Sequence, residues 1–193
     1  MRHLGGPYGV LMASFAAWAV LEIWVFARDA RRVEGRSADR GTLPGVILAV
    51  AAGVWAGFWA ASALPWAAMG LARVPLFWTG VVMMWAGIGL RLWAVLTLGA
   101  FFRVTVVVQD QHQLVTAGPY RVLRHPGYAG SILTLVGLGL GLGNWVSFGA
   151  IAAACALGYG WRIAAEEAAL RGRFGEAHAA WRKTTWAVIP WVW

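Results

Sequence analysis

Charge is what this sequence has little of. Only 12% of its 193 residues are Asp, Glu, Lys or Arg, against about 25% in a soluble domain. Acid is scarcer than base, with 8 Asp and Glu against 16 Lys and Arg. Cysteine is all but missing. The lone Cys155 has no partner for an internal disulfide, so nothing points to an oxidising compartment. It reads as a small apolar filler in a helix. The net charge of +8 comes without a basic and aromatic single-strand platform or a recognition helix, which argues against nucleic acid as a partner. No metal site is expected. What the chain has instead is grease: 60% hydrophobic residues, 14 Trp and 25 Gly, at a mean hydropathy of +0.63. Trp favours membrane interfaces and Gly favours close helix contacts, so the solvent of most of this surface is lipid.

A bilayer is crossed by ~20 mostly apolar residues in a helix. Five stretches satisfy this: Leu4 to Ala27, Leu43 to Met69, Val74 to Gly99, Tyr128 to Gly143, and Trp145 to Ile163. The first is too long for a signal peptide, contains Glu22, and is followed by RDARR where a small-residue cleavage site would stand. The fourth is short and ends in GLGLGLGN, so it and the fifth form a tight helical hairpin. That glycine run has no preceding strand and the wrong spacing for a nucleotide-binding loop. Gly53 and Gly57 in the second span have the small-xxx-small spacing of close helix packing, expected within one chain. The fold class is thus all-α, an integral membrane protein with five transmembrane helices, and the whole chain, 1–193, is expected to form one membrane domain.

Basic residues lie on one side of this arrangement. Arg28, Arg31, Arg32, Arg36 and Arg40 follow the first span, and Arg103, Arg121 and Arg124 follow the third. Arg162, Arg171, Arg173, Arg182 and Lys183 follow or end the fifth, while only Arg2 and Arg73 fall opposite. The positive-inside rule then predicts an outside N-terminus and a cytoplasmic C-terminus, as an odd number of spans requires. The Ala, Gly, Arg and Trp bias fits a GC-rich prokaryote, so the expected location is a prokaryotic inner (plasma) membrane.

Reactive side chains collect on the cytoplasmic side in two blocks. In the first, 101–130, RVTVVVQ could be extended. Gly118-Pro119 turns the chain, a short helix runs through Arg121 and Arg124, and Pro126 starts span four. The neighbours of Pro126 then lie beside free backbone N–H groups and a positive dipole end, a place suited to an anion or a carboxylate. The plain alternative is an interfacial belt of snorkelling arginines and headgroup tyrosines. In the second block, 162–183, Arg162 and Glu166 are four apart and face the same way on a helix. Leu170, Phe174, Ala177 and Trp181 then form one apolar stripe opposite basic faces, which predicts an amphipathic helix lying on the cytoplasmic leaflet. Glu166 and Glu167 gain nothing from an anionic leaflet, so something positive is expected beside them. Two charges inside spans, Glu22 and Arg91, lie at similar depths, and they are expected to approach one another or share a vestibule.

Together the blocks resemble the isoprenylcysteine carboxyl methyltransferase family. The residues that carry the resemblance are HQLVTAGPYRVLRHPGYAG at 112–130 and RIAAEEAALRGRFGEAHAAW at 162–181, with LGAFFR at 98–103 and Ile189-Pro190 in support. They cover roughly the C-terminal half. The resemblance implies three spans in 1–99 and a cofactor-binding and catalytic half with two spans in 100–193. It implies an S-adenosylmethionine pocket lined by His112, Gln113, Leu114, Val115, Tyr120, His125, Pro126, Gly127 and Tyr128. Glu166, with Glu167 beside it, would hold the cofactor, and Arg162 would receive the acceptor carboxylate. Arg162 and Glu166 are therefore the expected catalytic pair. The family has tyrosines where this chain has His178 and Trp181.

The expected activity is methylation of a carboxylate on an isoprenylcysteine-like or other lipid-like acceptor that enters from the bilayer. Three other readings are weighed against it. An amine N-methyltransferase of the phospholipid type would need a base such as His125 or Glu167, and its rate would climb steeply between about pH 6 and 9. A membrane reductase of the sterol-reductase type would bind a nicotinamide nucleotide instead. A non-enzymatic membrane scaffold would use the polar residues for topology alone.

Overall fold

The computed structural model describes residues 6–30, 41–99 and 115–191. Among these, five α-helices carry the fold: α1 (Pro7–Ala30), α2 (Thr42–Ala63), α3 (Arg73–Leu98), α4 (Pro126–Gly141) and α5 (Trp145–Thr184). Four of them are long and apolar enough to cross a membrane, and α4 is a shorter apolar helix. Large apolar side chains stand exposed along the bundle, among them Trp55, Trp59, Trp78, Trp85 and Trp93. In water such a surface would aggregate; in lipid it is the ordinary exterior of an integral membrane protein.

The small residues decide which helices touch. A Cβ added to Gly130 would lie 2.6 Å from the Arg91 backbone nitrogen, and one on Gly137 would lie 3.0 Å from that of Met84. Thus α3 and α4 approach backbone to backbone, and Thr134, fully buried, donates its hydroxyl to Gly130 O at 2.9 Å and Met84 O at 3.3 Å. In the GLGLGLGN run Gly137 belongs to this contact, while Gly139 faces Phe148 of α5 and Gly141 faces Leu11 of α1. The expected small-xxx-small packing is also intrachain: Gly53 abuts Ala154, and a Cβ on Gly57 would strike Ile151 Cδ1 at 2.8 Å, so α2 packs on α5. A Cβ on Gly137 would lie 2.5 Å from Gly80 O, so even alanine there forces the helices apart, and leucine at Gly137 is expected to prevent a folded, monodisperse protein in detergent. Size-exclusion chromatography of Gly137→Leu checks this.

Three boundaries differ from expectation. The second span stops at Ala63, and the chain to Arg73 is taken by two 3-10 turns, Pro65–Ala67 and Gly70–Ala72. Asn144 ends this excursion, donating to Leu64 O at 2.8 Å while its carbonyl oxygen caps α5 through the Val146 and Ser147 amides. The segment before Pro126 is a 3-10 turn, Gly118–Arg121, rather than a helix through Arg124. The third concerns the end of span five: the helix runs on past Ile163 to Gly175, whose non-helical dihedrals (φ 48°, ψ −116°) kink it, and a short second helix then continues to Thr184. The part before the kink is about 45 Å long at 1.5 Å per residue, longer than the hydrocarbon thickness. The anticipated stripe does not survive the Gly175 kink. His178 and Trp181 are buried, whereas Ala177 is exposed. RVTVVVQ lies outside the described residues.

Candidate active site

One end of the bundle gathers the C-termini of α1 and α3, the N-termini of α2 and α4, and the middle of α5. Pro126 opens α4 at its first position, with His125 as N-cap, as its fixed φ and missing N–H favour. The loop before it is pinned by the C-terminal segment. Arg124 N donates to Trp186 O at 2.7 Å, His125 N to Ala187 O at 2.9 Å, and Trp186 N to Val122 O at 3.0 Å. Residues 122–125 therefore enter α4 with every one of these backbone groups paired, and Arg124 and His125 are both buried.

Both side chains turn toward α5. Glu167 Oε1 accepts from Arg124 Nε at 3.0 Å and faces His125 Nε2 at 2.8 Å. Its Oε2 lies 3.3 Å from Arg182 Nε and 3.6 Å from His178 Nε2. Arg124 reaches further, donating to the Thr185 carbonyl. Burial opposes ionisation of Glu167, but the His125 and Arg124 contacts outweigh it and hold the carboxyl down at about 2. The positive partners expected beside the two glutamates are therefore present. Both Glu167 oxygens face cations or imidazoles, so its carboxylate is a structural tie as well as an expected cofactor neighbour. It ties the α4 entry, the far part of α5 and the C-terminal segment into one unit. His178 is fully buried, and burial disfavours its charged form.

Glu166 differs. Its side chain is 29% exposed, against 11% for Glu167, so it is the carboxylate open to a ligand. Tyr128 donates its hydroxyl to Glu166 Oε2 at 2.7 Å and accepts from Arg162 Nε at 3.1 Å. Arg162 and Glu166 do face the same way, joined through one phenol. Arg162 is 2% exposed, and its Nη1 donates to Thr42 Oγ1 at 2.6 Å. The His125 and Tyr128 rings stack at 5.7 Å and 15°, and His125 Nδ1 lies 3.8 Å from Glu166 Oε2.

The other expected residues lie around this core. Pro126 and Gly127 are buried in the first turn of α4. Tyr120 is buried against Ala94 and Trp181, with Val115 packed on that group, and Trp181 Nε1 donates to Tyr120 O at 3.2 Å. Burial, with the Glu166 charge adding to it, raises the Tyr120 phenol well above its usual range. His112, Gln113 and Leu114 lie outside the described residues. Thr42, Arg124 and Arg182 were not singled out as site residues from the sequence. Arg124 carried a signal, since it adjoins His125; Thr42 carried none.

The open Glu166 carboxylate and the stacked His125 and Tyr128 rings form one polar, aromatic wall. No cluster of three metal-ligating side chains occurs among the described residues.

Comparison with known proteins supplies a family. Residues 75–177, just over half of the chain, match the profile of the phospholipid methyltransferase family. A probable protein-S-isoprenylcysteine O-methyltransferase of Oryza sativa subsp. indica is 33% identical over 105 residues, 53% of this chain and 55% of the relative. That of Dictyostelium discoideum is 31% identical over 130 residues, 62% of this chain and 52% of the relative. The chain spans about half the length of these relatives. A solved eukaryotic intramembrane Ras methyltransferase, isoprenylcysteine carboxyl methyltransferase, shares the fold at a TM-score of 0.69 and 23% identity, over 98% of this chain and 69% of the other. The site and fold thus stand in a family context: the chain belongs to the phospholipid methyltransferase family, and the relatives it matches include isoprenylcysteine O-methyltransferases.

Proposed function

We propose that the protein is an S-adenosylmethionine-dependent carboxyl O-methyltransferase whose acceptor is an isoprenylcysteine-like or other lipid-like carboxylate. The observation that carries this reading is Arg162, a buried cation held by Thr42 and Tyr128 at the membrane end of the site and one turn from the open Glu166. Glu166, Tyr128 and Tyr120 would hold the cofactor, which supplies an electrophilic methyl group on a positive sulfur. His125, Pro126 and Gly127 would shape the same wall, with His112, Gln113, Leu114 and Val115 completing it. Arg162 orients the acceptor carboxylate for in-line attack and shields it from water, and such alignment in a dry site contributes several kcal/mol.

Among the described residues, the two candidate bases, His125 and Glu167, are already engaged, which supports a carboxylate over an amine. A carboxylate is ionised at pH 7 and gives up no proton, whereas an amine must. Both ring nitrogens of His125 face glutamates, and Glu167 is saturated by cations. The rate should therefore lack the steep climb between about pH 6 and 9 that amine methylation would display. The basic loops support a cytoplasmic C-terminus in a prokaryotic inner membrane, with the acceptor arriving from the bilayer and the cofactor from the cytoplasm. Residues 1–99 would then anchor the catalytic half, 100–193, within one membrane domain.

The test is incubation of the purified protein in detergent with methyl-labelled S-adenosylmethionine and farnesylated N-acetylcysteine. Label released as methanol by alkali is an ester and is the expected result. Alkali-stable label on a phosphatidylethanolamine control would favour the amine reading. Binding of a nicotinamide nucleotide in place of S-adenosylmethionine would favour the reductase. For the cofactor, Glu166→Ala and His125→Ala should each weaken binding about tenfold or more, since a charge-assisted contact contributes roughly 1.5–3 kcal/mol. Unchanged affinity in both, by titration calorimetry, would overturn the cofactor assignment.

A further inference from the structure

Past α5 the chain turns from the interior to the surface within a few residues. Ala187 and Val188 are buried, and Val188 belongs to the same core cluster as Leu135 and Ile163, so it touches the membrane bundle itself. Beyond it, Ile189 is 49% exposed and Trp191 is 85% exposed. Trp191 holds φ 63°, a left-handed conformation that disfavours a bulky side chain. Its ring packs on that of Trp186, 5.4 Å between centroids. Trp186 in turn lies beside residues 122–124, its amide donating to Val122 O and its carbonyl accepting from Arg124 N. Val122 and Arg121 are exposed, as is Lys183 just before this segment. Two stretches remote in sequence thus form one rim, apolar in Val122, Ile189 and Trp191 and basic in Arg121 and Lys183. The rim adjoins the first turn of α4, and exposed tryptophans mark the same end of the neighbouring helices, Trp93 near the end of α3 and Trp161 beside Arg162 on α5. Tryptophan collects at lipid headgroups because its ring is apolar and its N–H polar.

We infer that this rim is a docking surface for anionic phospholipid headgroups, and that the contact steadies the entry of α4. Trp191 and Ile189 seat at headgroup depth while Arg121 and Lys183 meet lipid phosphates, an attraction that salt screens. A protein partner is not favoured, because the rim continues the lipid-facing surface of the bundle. Residues 186–187 pair with the backbone of Arg124 and His125. Lipid that holds Trp186 and Trp191 in place therefore also holds the wall that His125 forms. This coupling rests on the reading that His125 shapes the cofactor pocket; the docking surface does not.

Depth measurement tests the docking surface. A nitroxide on Ile189→Cys, in a Cys155→Ala background, is placed in nanodiscs of mixed phosphatidylcholine and phosphatidylglycerol. Paramagnetic resonance should show it reached by oxygen in preference to a water-soluble nickel chelate. Should that variant not fold, Trp191→Cys carries the same expectation. A label as open to the chelate as one free in solution overturns the inference. So does protection that appears only in a dimer, which would assign the face to a second copy. Cofactor titration tests the coupling. S-adenosylmethionine should bind about three- to tenfold more tightly in the mixed nanodiscs than in phosphatidylcholine alone. High salt, or Arg121→Gln with Lys183→Gln, should remove the difference. Equal affinity in the two lipids overturns the coupling. If S-adenosylmethionine binds in neither, the cofactor reading falls, and label depth alone decides the docking surface.

Discussion

Under the proposed function, Arg162→Leu is expected to lower turnover with a farnesylated cysteine by about a hundred- to a thousandfold while cofactor affinity changes by less than about threefold. The magnitude follows from losing a buried, charge-assisted contact, about 3–4 kcal/mol at 1.36 kcal/mol per tenfold. The asymmetry follows from the connectivity. Tyr128 can still donate to Glu166 at 2.7 Å without Arg162, so the open carboxylate stays in place. Leucine fills the volume but leaves the Thr42 and Tyr128 oxygens without their donor, which favours a local rearrangement on the acceptor side alone. Arg162→Lys restores only part of the rate, since a point charge cannot span Thr42 and Tyr128 as the guanidinium does. Single-turnover assays and titration calorimetry on the same preparations decide the matter. Parallel collapse of binding and turnover would move Arg162 to the cofactor side of the site.

What the sequence makes legible here is local. Hydropathy finds the five apolar helices because lipid demands continuous apolar runs, of ~20 residues where a helix crosses fully and fewer in α4. Pro126 marks the start of α4 because its ring suits a first turn. His125 and Tyr128, or Arg162 and Glu166, are one turn apart, so their shared faces follow from helical spacing alone. The partners that lock them in place are remote. Thr42 is 120 residues from Arg162, and Thr185 is 61 from Arg124; no periodicity links such positions. The same cause explains the course of α5 beyond span five. Gly172 and Gly175 argue for a break, and Gly175 does leave helical geometry. The helix nonetheless resumes, because Trp181 donates to Tyr120 O and Arg182 meets Glu167. Those tertiary contacts turn His178 and Trp181 inward, away from the leaflet that the apolar stripe suggested.

Glu22→Ala is expected to cost about 3–5 kcal/mol of stability, because it takes the paired carboxylate away from a buried guanidinium. Glu22 and Arg91 do pair inside the bundle, as their depths suggested. Arg91 donates from Nε to Glu22 Oε1 at 3.1 Å and from Nη2 to Oε2 at 2.9 Å, and Ser131 adds its hydroxyl to Oε1 at 3.1 Å. The side chains are 9% and 16% exposed, so neither snorkels to an interface. One carboxylate thereby joins α1, α3 and α4. This matters most for α1, whose described residues include few that are buried: Leu11, Ser14 and Val25. The pair also touches the site. A Cβ on Gly127 would lie 3.0 Å from Arg91 Nη1, so the guanidinium sits directly against the first turn of α4. Releasing it should loosen that turn and with it the placement of His125 and Tyr128. Thermal unfolding in detergent measures the cost, and cofactor titration measures the coupling to the site. The double variant Glu22→Leu with Arg91→Met removes both charges, so it should recover much of the stability lost by Glu22→Ala. If Glu22→Ala shifts the midpoint no more than an exposed substitution does, the pair is not what holds α1 to the rest of the bundle.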